Sequence, residues 1–343
     1  MPEENQNETR IIEPEASGEE VVLDITLRPQ ALADFVGQEQ IKENLSISIQ
    51  AAKKRNDALE HVLLYGNPGL GKTTLAHIIA KEMGGSIKVT SGPALEKVGD
   101  LAAILSNLQE GETLFIDEIH RMNKTIEEVL YPALEDYSLD IILGKGPAAR
   151  TIRMPLNHFT LIGATTKLSL LSAPLRDRFG HTFHLNFYEN KDIERILCRN
   201  AAILGVNMDP ESTGIISSRA RRTPRIANRL LKRIRDVAEV EGGGVVNKAI
   251  TQRALGLLGI DEYGLDEIDR RLLSALIEKF SGGPVGLNTL YAAISEEMDT
   301  IETVYEPFLL QVGFLERTPR GRKATPLAYT HLGFEVPKIQ TLL

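Results

Sequence analysis

The sequence predicts an α/β protein: a parallel sheet wrapped by helices, then a small helical domain, then a helix-turn-helix unit with a β-wing. Three observations carry that expectation. Apolar runs at 61–65, 113–116 and 159–163 show little alternation, as strands buried on both faces do. The first two are each followed by a helical pattern, the layout of strand-to-helix crossovers. The first also passes directly into a glycine-rich loop that opens a helix, Gly66-Asn67-Pro68-Gly69-Leu70-Gly71-Lys72-Thr73. Residues 21–188 therefore read as one α/β domain. From 189 to 260 only helical patterns occur, with Thr223-Pro224 as a cap ahead of an Ile226, Leu230, Leu231, Ile234 stripe. In 261–343, a helix at 265–280, a glycine-rich turn at 281–286 and two further helical stretches lead to Phe314-Leu315-Glu316-Arg317, with Pro319 and Gly321 marking a β-wing.

Composition narrows the function classes. With 343 residues, 42% of them apolar and 25% charged, the chain can bury a sizeable core and divide into two or three domains. No apolar run approaches the roughly 18 residues of a membrane span, and the N-terminus lacks the layout of a secretory signal, so the expected compartment is the cytoplasm. The single cysteine, Cys198, excludes a disulfide framework and a cysteine zinc site, and its helical setting reads as core. His181 and His184 read as one strand face without acidic or cysteine partners, hence structural rather than metal-binding. The net charge of −8 is concentrated in residues 1–20, which hold seven acids against Arg10 and should form a disordered leader. Two later stretches are basic: 219–235 with eight Lys or Arg and no acid, and 317–323 with four and no acid. Such local patches decide phosphate contacts more than the mean charge does.

The glycine loop has both the sequence and the setting of a phosphate cradle. Gly69 and Gly71 let backbone N–H groups turn inward, Lys72 reaches the terminal phosphates, the Thr73 hydroxyl ligates Mg2+, and Thr74 follows on the same turn. Forty-four residues beyond Thr73, the run 113–116 delivers Asp117 to the Mg2+ shell and places Glu118 to orient or deprotonate an attacking water. This pairing belongs to nucleotide hydrolases. A third run ends at Thr165-Thr166, and Thr165 is the candidate to sense a γ-phosphate. Pro174-Leu175-Arg176-Asp177-Arg178-Phe179-Gly180 offers guanidinium groups on a short turn, the alternative being surface ion pairs with Asp177. Arg225 projects from the first turn of its helix with its charge available to an anion. The later Arg229, Lys232, Arg233 and Arg235 suit a solvated face.

In the C-terminal unit, 287–316 contains no Lys or Arg, so its helices are poorly suited to reading bases. Arg317, Arg320, Arg322 and Lys323 fall on the wing, where they would grip DNA phosphates without reading sequence; a solvated turn or an intersubunit surface are the alternatives. Between Tyr137 and Pro155, two apolar runs flank Gly144-Lys145-Gly146-Pro147 as a hairpin, with sheet core as the alternative for its apolar side chains.

The loop, the Asp117-Glu118-Ile119-His120 box, the Leu175-to-Gly180 turn and the Thr223-Pro224-Arg225 helix together resemble the AAA+ ATPases. More specific are Leu27-Arg28-Pro29, Asp34-Phe35-Val36-Gly37-Gln38, Tyr131 to Tyr137, Gly282 to Leu287 and Arg317 to Arg322. These runs are similar to the RuvB family of bacterial Holliday-junction branch-migration motors, over about 21–333. The resemblance implies an AAA+ P-loop domain with a hairpin insertion near 138–156, a helical lid and a winged-helix head. It implies ATP and Mg2+ as cofactors, with Leu27 and Arg28 flanking the adenine and Glu135, Asp136, Tyr137 and Tyr188 lining the nucleotide site. Arg225 would be the second sensor and Arg178 an arginine finger entering the neighbouring subunit's site. A homo-hexamer around double-stranded DNA is implied, with the junction-binding protein RuvA docking on Ile141, Ile142 and Leu143, RuvC resolvase as a further partner, and Arg317 and Arg322 contacting DNA. Asn67 departs from the proline usual in the family. The competing readings are a clamp-loader-like ATPase and a nucleotide-switched DNA-binding regulator.

Overall fold

The computed structural model describes residues 26–143 and 150–337, without the side chains of 141–143 and 150–151. The acidic leader and the Gly144–Pro147 turn lie outside the described residues, and so do the side chains of Ile141, Ile142 and Leu143. The N-terminal region runs α1 (Glu39–Arg55), β1 (Val62–Tyr65), α2 (Lys72–Met83), β2 (Ile87–Ser91), α3 (Val98–Ser106), β3 (Thr113–Asp117), α4 (Lys124–Glu135), β4 (Ser138–Leu143), β5 (Arg150–Pro155), β6 (Thr160–Thr165), α5 (Ala173–Arg176) and β7 (His181–His184).

Five of these strands form one parallel sheet in the order β2-β3-β6-β1-β7. Each connection crosses the sheet outside it, so all five C-terminal ends share one edge. β1, β3 and β6 lie in the interior, and Val62, Leu63, Leu64, Leu114, Phe115, Ile116, Leu161 and Ile162 are fully buried. Their unbroken apolar spelling is what burial on both faces requires. β2 and β7 are edge strands whose residues are at most half-buried, so neither has an apolar run to announce it. In β7, His181 and His184 are three residues apart and lie on opposite faces, not one. His181 stacks on Phe183 and His184 on Tyr65.

Helices cover both faces. The i, i+4, i+8 spacing of Ile41, Leu45 and Ile49 in α1 and the stripe Leu75, Ile78, Ile79 in α2 pack one side, and α3 and α4 pack the other with Leu101, Leu105, Ile126 and Leu130. Truncating such a leucine to alanine costs about 2–5 kcal/mol. β4 and β5 pair antiparallel, Ile141 opposite Ile152, as a hairpin separate from the main sheet. Ile152 is exposed.

The next segment contains α6 (Asn190–Ile203), α7 (Pro210–Arg219), α8 (Pro224–Glu241) and α9 (Lys248–Leu257). It also contains a parallel pair of two-residue strands, β8 (Asn207–Met208) and β9 (Val245–Val246), too short to show a period in sequence. Its core is continuous with the α1/α2 side of the sheet. Cys198 is exposed rather than core: α6 buries Ile193, Ile196, Leu197 and Ala201, and the cysteine sits a further 100° round the helix from Leu197. Thr223 precedes α8 but does not cap it; its hydroxyl donates to the Ala220 carbonyl instead.

The C-terminal unit has its own core. It runs α10 (Glu267–Phe280), α11 (Leu287–Ile294), α12 (Met298–Thr300), a π-helical stretch Ile301–Tyr305, α13 (Glu306–Gln311), the antiparallel pair β10 (Leu315–Thr318) and β11 (Gly321–Ala324), and α14 (Pro326–His331). Val285 and Arg322 exchange two backbone hydrogen bonds, which fasten the wing to the turn before α11.

A buried cation joins this unit to the helical segment. Arg221, 6% exposed, pairs through Nη2 with Asp266 at 2.9 Å and with Asp269, while its Nε donates to the Gly264 carbonyl. Asp266 also caps α10 by accepting from the Ile268 and Asp269 N–H groups. Removing one side of a buried pair leaves the remaining charge uncompensated, at a cost of roughly 3–5 kcal/mol. Arg221→Ala should lower the unfolding free energy of the C-terminal unit by that order, read as a urea midpoint lower by about 1–3 M, and an unchanged midpoint would show that the clamp contributes nothing to its docking.

Candidate active site

The shared C-terminal edge of the sheet gathers the chemistry. β1 ends at Tyr65 and the glycine loop crosses to α2, with the Gly66 N–H donating to the Thr165 carbonyl at 3.2 Å, so the loop starts beside the end of β6. Gly69 and Gly71 have φ of +79° and +99°, and a Cβ on Gly71 would lie 3.3 Å from the Phe35 ring. Both positions thus need glycine for conformation, and at both a side chain would also crowd a neighbour.

Lys72 is buried, and its Nζ donates to the carbonyls of Gly66 at 2.7 Å and Asn67 at 3.0 Å. Burial pulls its pKa down to about 8, against the raising effect of Glu118 and Asp117; Arg225 lowers it further. The Thr73 hydroxyl donates to Asp117 Oδ2 at 3.4 Å. Two hard oxygen donors at this separation, beside a phosphate cradle, suit Mg2+, which takes one or two protein ligands and completes its octahedron with phosphate oxygens and water. Among the described residues no cluster of three or more His, Cys, Asp or Glu forms an all-protein metal cage.

Glu118 is held in a left-handed conformation, φ +46°, immediately after β3. Its Oε2 accepts from the Thr166 hydroxyl at 3.1 Å and lies 3.1 Å from His120 Nδ1. Thr165 Oγ1 lies 2.9 Å from the same nitrogen and accepts from the Lys167 N–H. A proton on Nδ1 satisfies both oxygens, which assigns the tautomer. Burial lowers the His120 pKa, with Lys167 and Arg121 adding to that and Glu118 opposing it, so the ring is neutral at pH 7. Thr165 itself is fully buried and faces His120; the hydroxyl presented to Glu118 is that of Thr166. Neither Thr166 nor His120 stood out in sequence as a site residue, although both adjoin residues that did. Thr165 ends β6 and Thr166 follows it in a bend, and both hydroxyls reach the Glu118–His120 pair.

Arg225 comes to the loop from α8. Its N–H donates to the Gly69 carbonyl at 3.4 Å, and its Cβ lies 3.0 Å from where a Cβ on Gly69 would stand. Glu118, His120, Thr166, Arg225 and Asn67 line one cleft of about 920 Å3. Tyr188 is buried behind the loop and donates to the Leu70 carbonyl at 3.1 Å; burial raises its pKa. Arg28 lies close enough to His77 of α2 for its charge to add to burial in lowering the histidine pKa. Leu27 is buried and its carbonyl accepts from Arg199.

Four expected residues are elsewhere. Tyr137 packs on His61 and Phe159, which precede β1 and β6, and stacks on His158 at 4.1 Å. Asp136 pairs with Arg153. Arg178 lies three residues before His181, the partner of Val62, and pairs with Glu135 at 3.0 Å while its guanidinium covers the Tyr131 ring. Its carboxylate partner is Glu135, not Asp177. All four therefore stand at the N-terminal end of the strands, and Glu135, Asp136 and Tyr137 do not line this chain's own glycine loop.

Three family models match in succession: the Holliday junction DNA helicase RuvB P-loop domain over 27–185, the RuvB AAA lid domain over 188–261 and the RuvB C-terminal winged helix domain over 262–333. The chain belongs to the RuvB family. The RuvB subunit of the Holliday junction branch migration complex from Dehalococcoides mccartyi is 59% identical over 328 residues, covering 96% of this chain and 94% of that protein. Its counterpart from Chloroflexus aggregans is 57% identical over 329 residues with the same coverage. The solved structure of the Thermotoga maritima RuvB branch migration motor superposes with a TM-score of 0.84 at 50% identity, covering 91% of this chain and all of that one. The Aeropyrum pernix ORC2 protein, 16% identical with a TM-score of 0.52, shares the fold alone.

In this RuvB-family chain the wing arginines differ from each other. Arg317 is exposed, at 61% of its side chain. Arg322 is buried and directs Nε and Nη2 at the buried Glu306 carboxylate, at 2.8–3.1 Å. Both arginines face the same carboxylate: Arg317 Nε lies 3.9 Å from Glu306 Oε1 while its side chain stays exposed, whereas Arg322 is not free but buried as the main countercharge of Glu306.

The Lys72 pKa has a measurable consequence. The free site holds the ammonium near 8, and a bound triphosphate raises it, so above pH 8 binding takes up a proton. Nucleotide affinity should be flat below pH 7.5 and weaken above pH 8 toward about tenfold per unit. Titration calorimetry in buffers of different ionisation enthalpy reads the proton directly, and an affinity constant to pH 9.5 would remove Lys72 from the phosphate contact.

Proposed function

We propose that the chain hydrolyses ATP with Mg2+ at a site completed by a neighbouring protomer, and uses that energy to move double-stranded DNA through Holliday junctions together with RuvA. The observation that carries this reading is the division of charged residues between the two ends of the same strands. Lys72, Thr73, Asp117, Glu118 and Arg225 stand at one end and Arg178 with Glu135, Asp136 and Tyr137 at the other. β1 alone separates those ends by about 13 Å. A protomer's Arg178 therefore serves another protomer's nucleotide, and a closed homo-hexameric ring supplies every site in turn.

Within one site, Lys72 exchanges two loop carbonyls for phosphate oxygens, and the first turn of α2 adds its N–H groups. Leu27, Arg28 and Tyr188 border the base side of the loop, and Thr74 extends the cradle. Mg2+, held by Thr73 and Asp117, would offset negative charge on the phosphates. Glu118 takes a proton from water as its oxygen bonds to the γ-phosphorus and the bond to the β,γ-bridging oxygen breaks. Arg178 arriving in trans would be worth about 10³ or more in rate. Arg225 ties the lid to the loop, so lid position follows the nucleotide.

The DNA contact is assigned to the wing, led by Arg317 with Arg320 and Lys323, and anchored by Arg322 through Glu306. Contacts of this kind grip phosphates and tolerate any sequence. The hairpin β4–β5 is assigned to RuvA, with Ile141, Ile142 and Leu143 as its contacts, and RuvC would act on the same junctions. The cytoplasm is the proposed compartment; among the described residues no helix is long and apolar enough to cross a membrane.

The test is branch migration of a synthetic four-way junction. It should require this chain, RuvA and ATP together, and a chain that hydrolyses ATP without moving the junction would refute the assignment. Glu118→Gln should keep nucleotide binding and lose turnover by about 10²-fold or more. Arg317→Ala should weaken duplex binding and flatten its salt dependence by about one ion; an unchanged slope would remove the wing from the interface.

A further inference from the structure

Lys167 takes part in neither the hydrolytic contacts nor the wing, yet it touches both halves of the molecule. Its N–H donates to Thr165 Oγ1 at 3.0 Å, which fixes its backbone to the end of β6, next to the residue that holds Glu118. Its ammonium crosses the cleft to the C-terminal unit, where it pairs with Asp299 and, at 3.3 Å, with Glu302. Those acids sit on α12 and the π-helical stretch, which run without a break into α13 and Glu306. Glu306 in turn anchors Arg322 of the wing.

An uninterrupted route of bonded contacts therefore leads from the wing to the water-activating carboxylate, and Lys167 is its one crossing between domains along this path. The bridge is partly exposed, with Asp299 at 72% and Lys167 at 23% of their side chains. Ion pairs of this kind are weak and can be made and broken as domains shift. The two carboxylates raise the Lys167 pKa, chiefly through the bond to Asp299, so the cation persists at any working pH.

We propose that Lys167 is a positioning residue that couples the DNA-binding head to Glu118, so that duplex engagement at the wing changes the rate of hydrolysis through the Lys167–Asp299–Glu302 bridge. This rests on the DNA-motor reading above. Coupling through a two-state contact of this sort is read as a change in activation by the second ligand.

The experiment measures steady-state hydrolysis of Mg–ATP by the full chain with and without linear duplex. The Asp299→Asn, Glu302→Gln double variant should keep basal kcat, KM for ATP and duplex affinity, and lose duplex activation by about fivefold or more. Lys167→Glu should lose activation likewise, and adding Asp299→Lys and Glu302→Lys to it should restore activation by reversing the bridge; Lys167→Arg should retain it. Full activation in the double variant, or failure of the reversed bridge to restore it, would overturn the proposal. If the unaltered chain shows no activation by duplex, the motor reading itself falls, which separates the two failures.

Discussion

Everything this chain does with a phosphate depends on the parallelism of its five-stranded sheet. Parallel strands end on one edge, and there the glycine loop, Asp117, Glu118 and the end of β6 meet within hydrogen-bonding reach. The same geometry sends Arg178 to the opposite edge, because the chain must return to begin β7 beside Val62. In the proposed reading a single protomer offers an incomplete countercharge to a triphosphate, and Arg178 serves a neighbour. On that reading, topology would link assembly to hydrolysis before any detail of the interface enters.

Buried cations organise the rest. Lys72 is held against loop carbonyls, ready to trade them for phosphate; Arg221 binds the helical segment to α10; Arg322 locks the wing onto α13. Each removes a charge from water and replaces hydration with fixed oxygen partners, so each fixes a relative position sharply. They lie at the nucleotide loop, between lid and head and between head and wing, and the backbone N–H of the exposed Arg225 on the Gly69 carbonyl joins loop to lid. A displacement at the loop thus has stiff connections along which to travel, and the partly exposed Lys167 bridge is a softer link among them.

Much of this was legible in the sequence, for physical reasons that can be named. Central strands buried on both faces have to be spelled as apolar runs, so β1, β3 and β6 were evident, and a phosphate loop needs glycines at fixed spacing. The edge strands β2 and β7 are only half-buried and carried no such mark. Cys198 followed a helical stripe but stood just beyond it, and the contact of Thr166 with Glu118 comes from a bend after β6 that has no periodic signature. Partnerships distant in sequence, such as Arg322 with Glu306 or Arg178 with Glu135, have no local signature. The basic residues past Arg225 looked solvent-facing, whereas Lys232 among them is buried, and Arg221 ahead of them is among the most buried cations of the described residues. Placing Glu135, Asp136 and Tyr137 by motif alone put them with Tyr188 at the nucleotide site; the sheet instead puts them at its opposite edge, away from this chain's glycine loop.

The shared site is tested most directly by complementation. Preparations of Lys72→Ala and Arg178→Ala chains, each inactive alone, would be mixed in equal amounts and assayed for ATP hydrolysis with duplex and RuvA. Interfaces that join an intact loop from one chain to an intact Arg178 from the other should restore activity in the mixture. A mixture as inactive as its components would contradict a site divided between protomers.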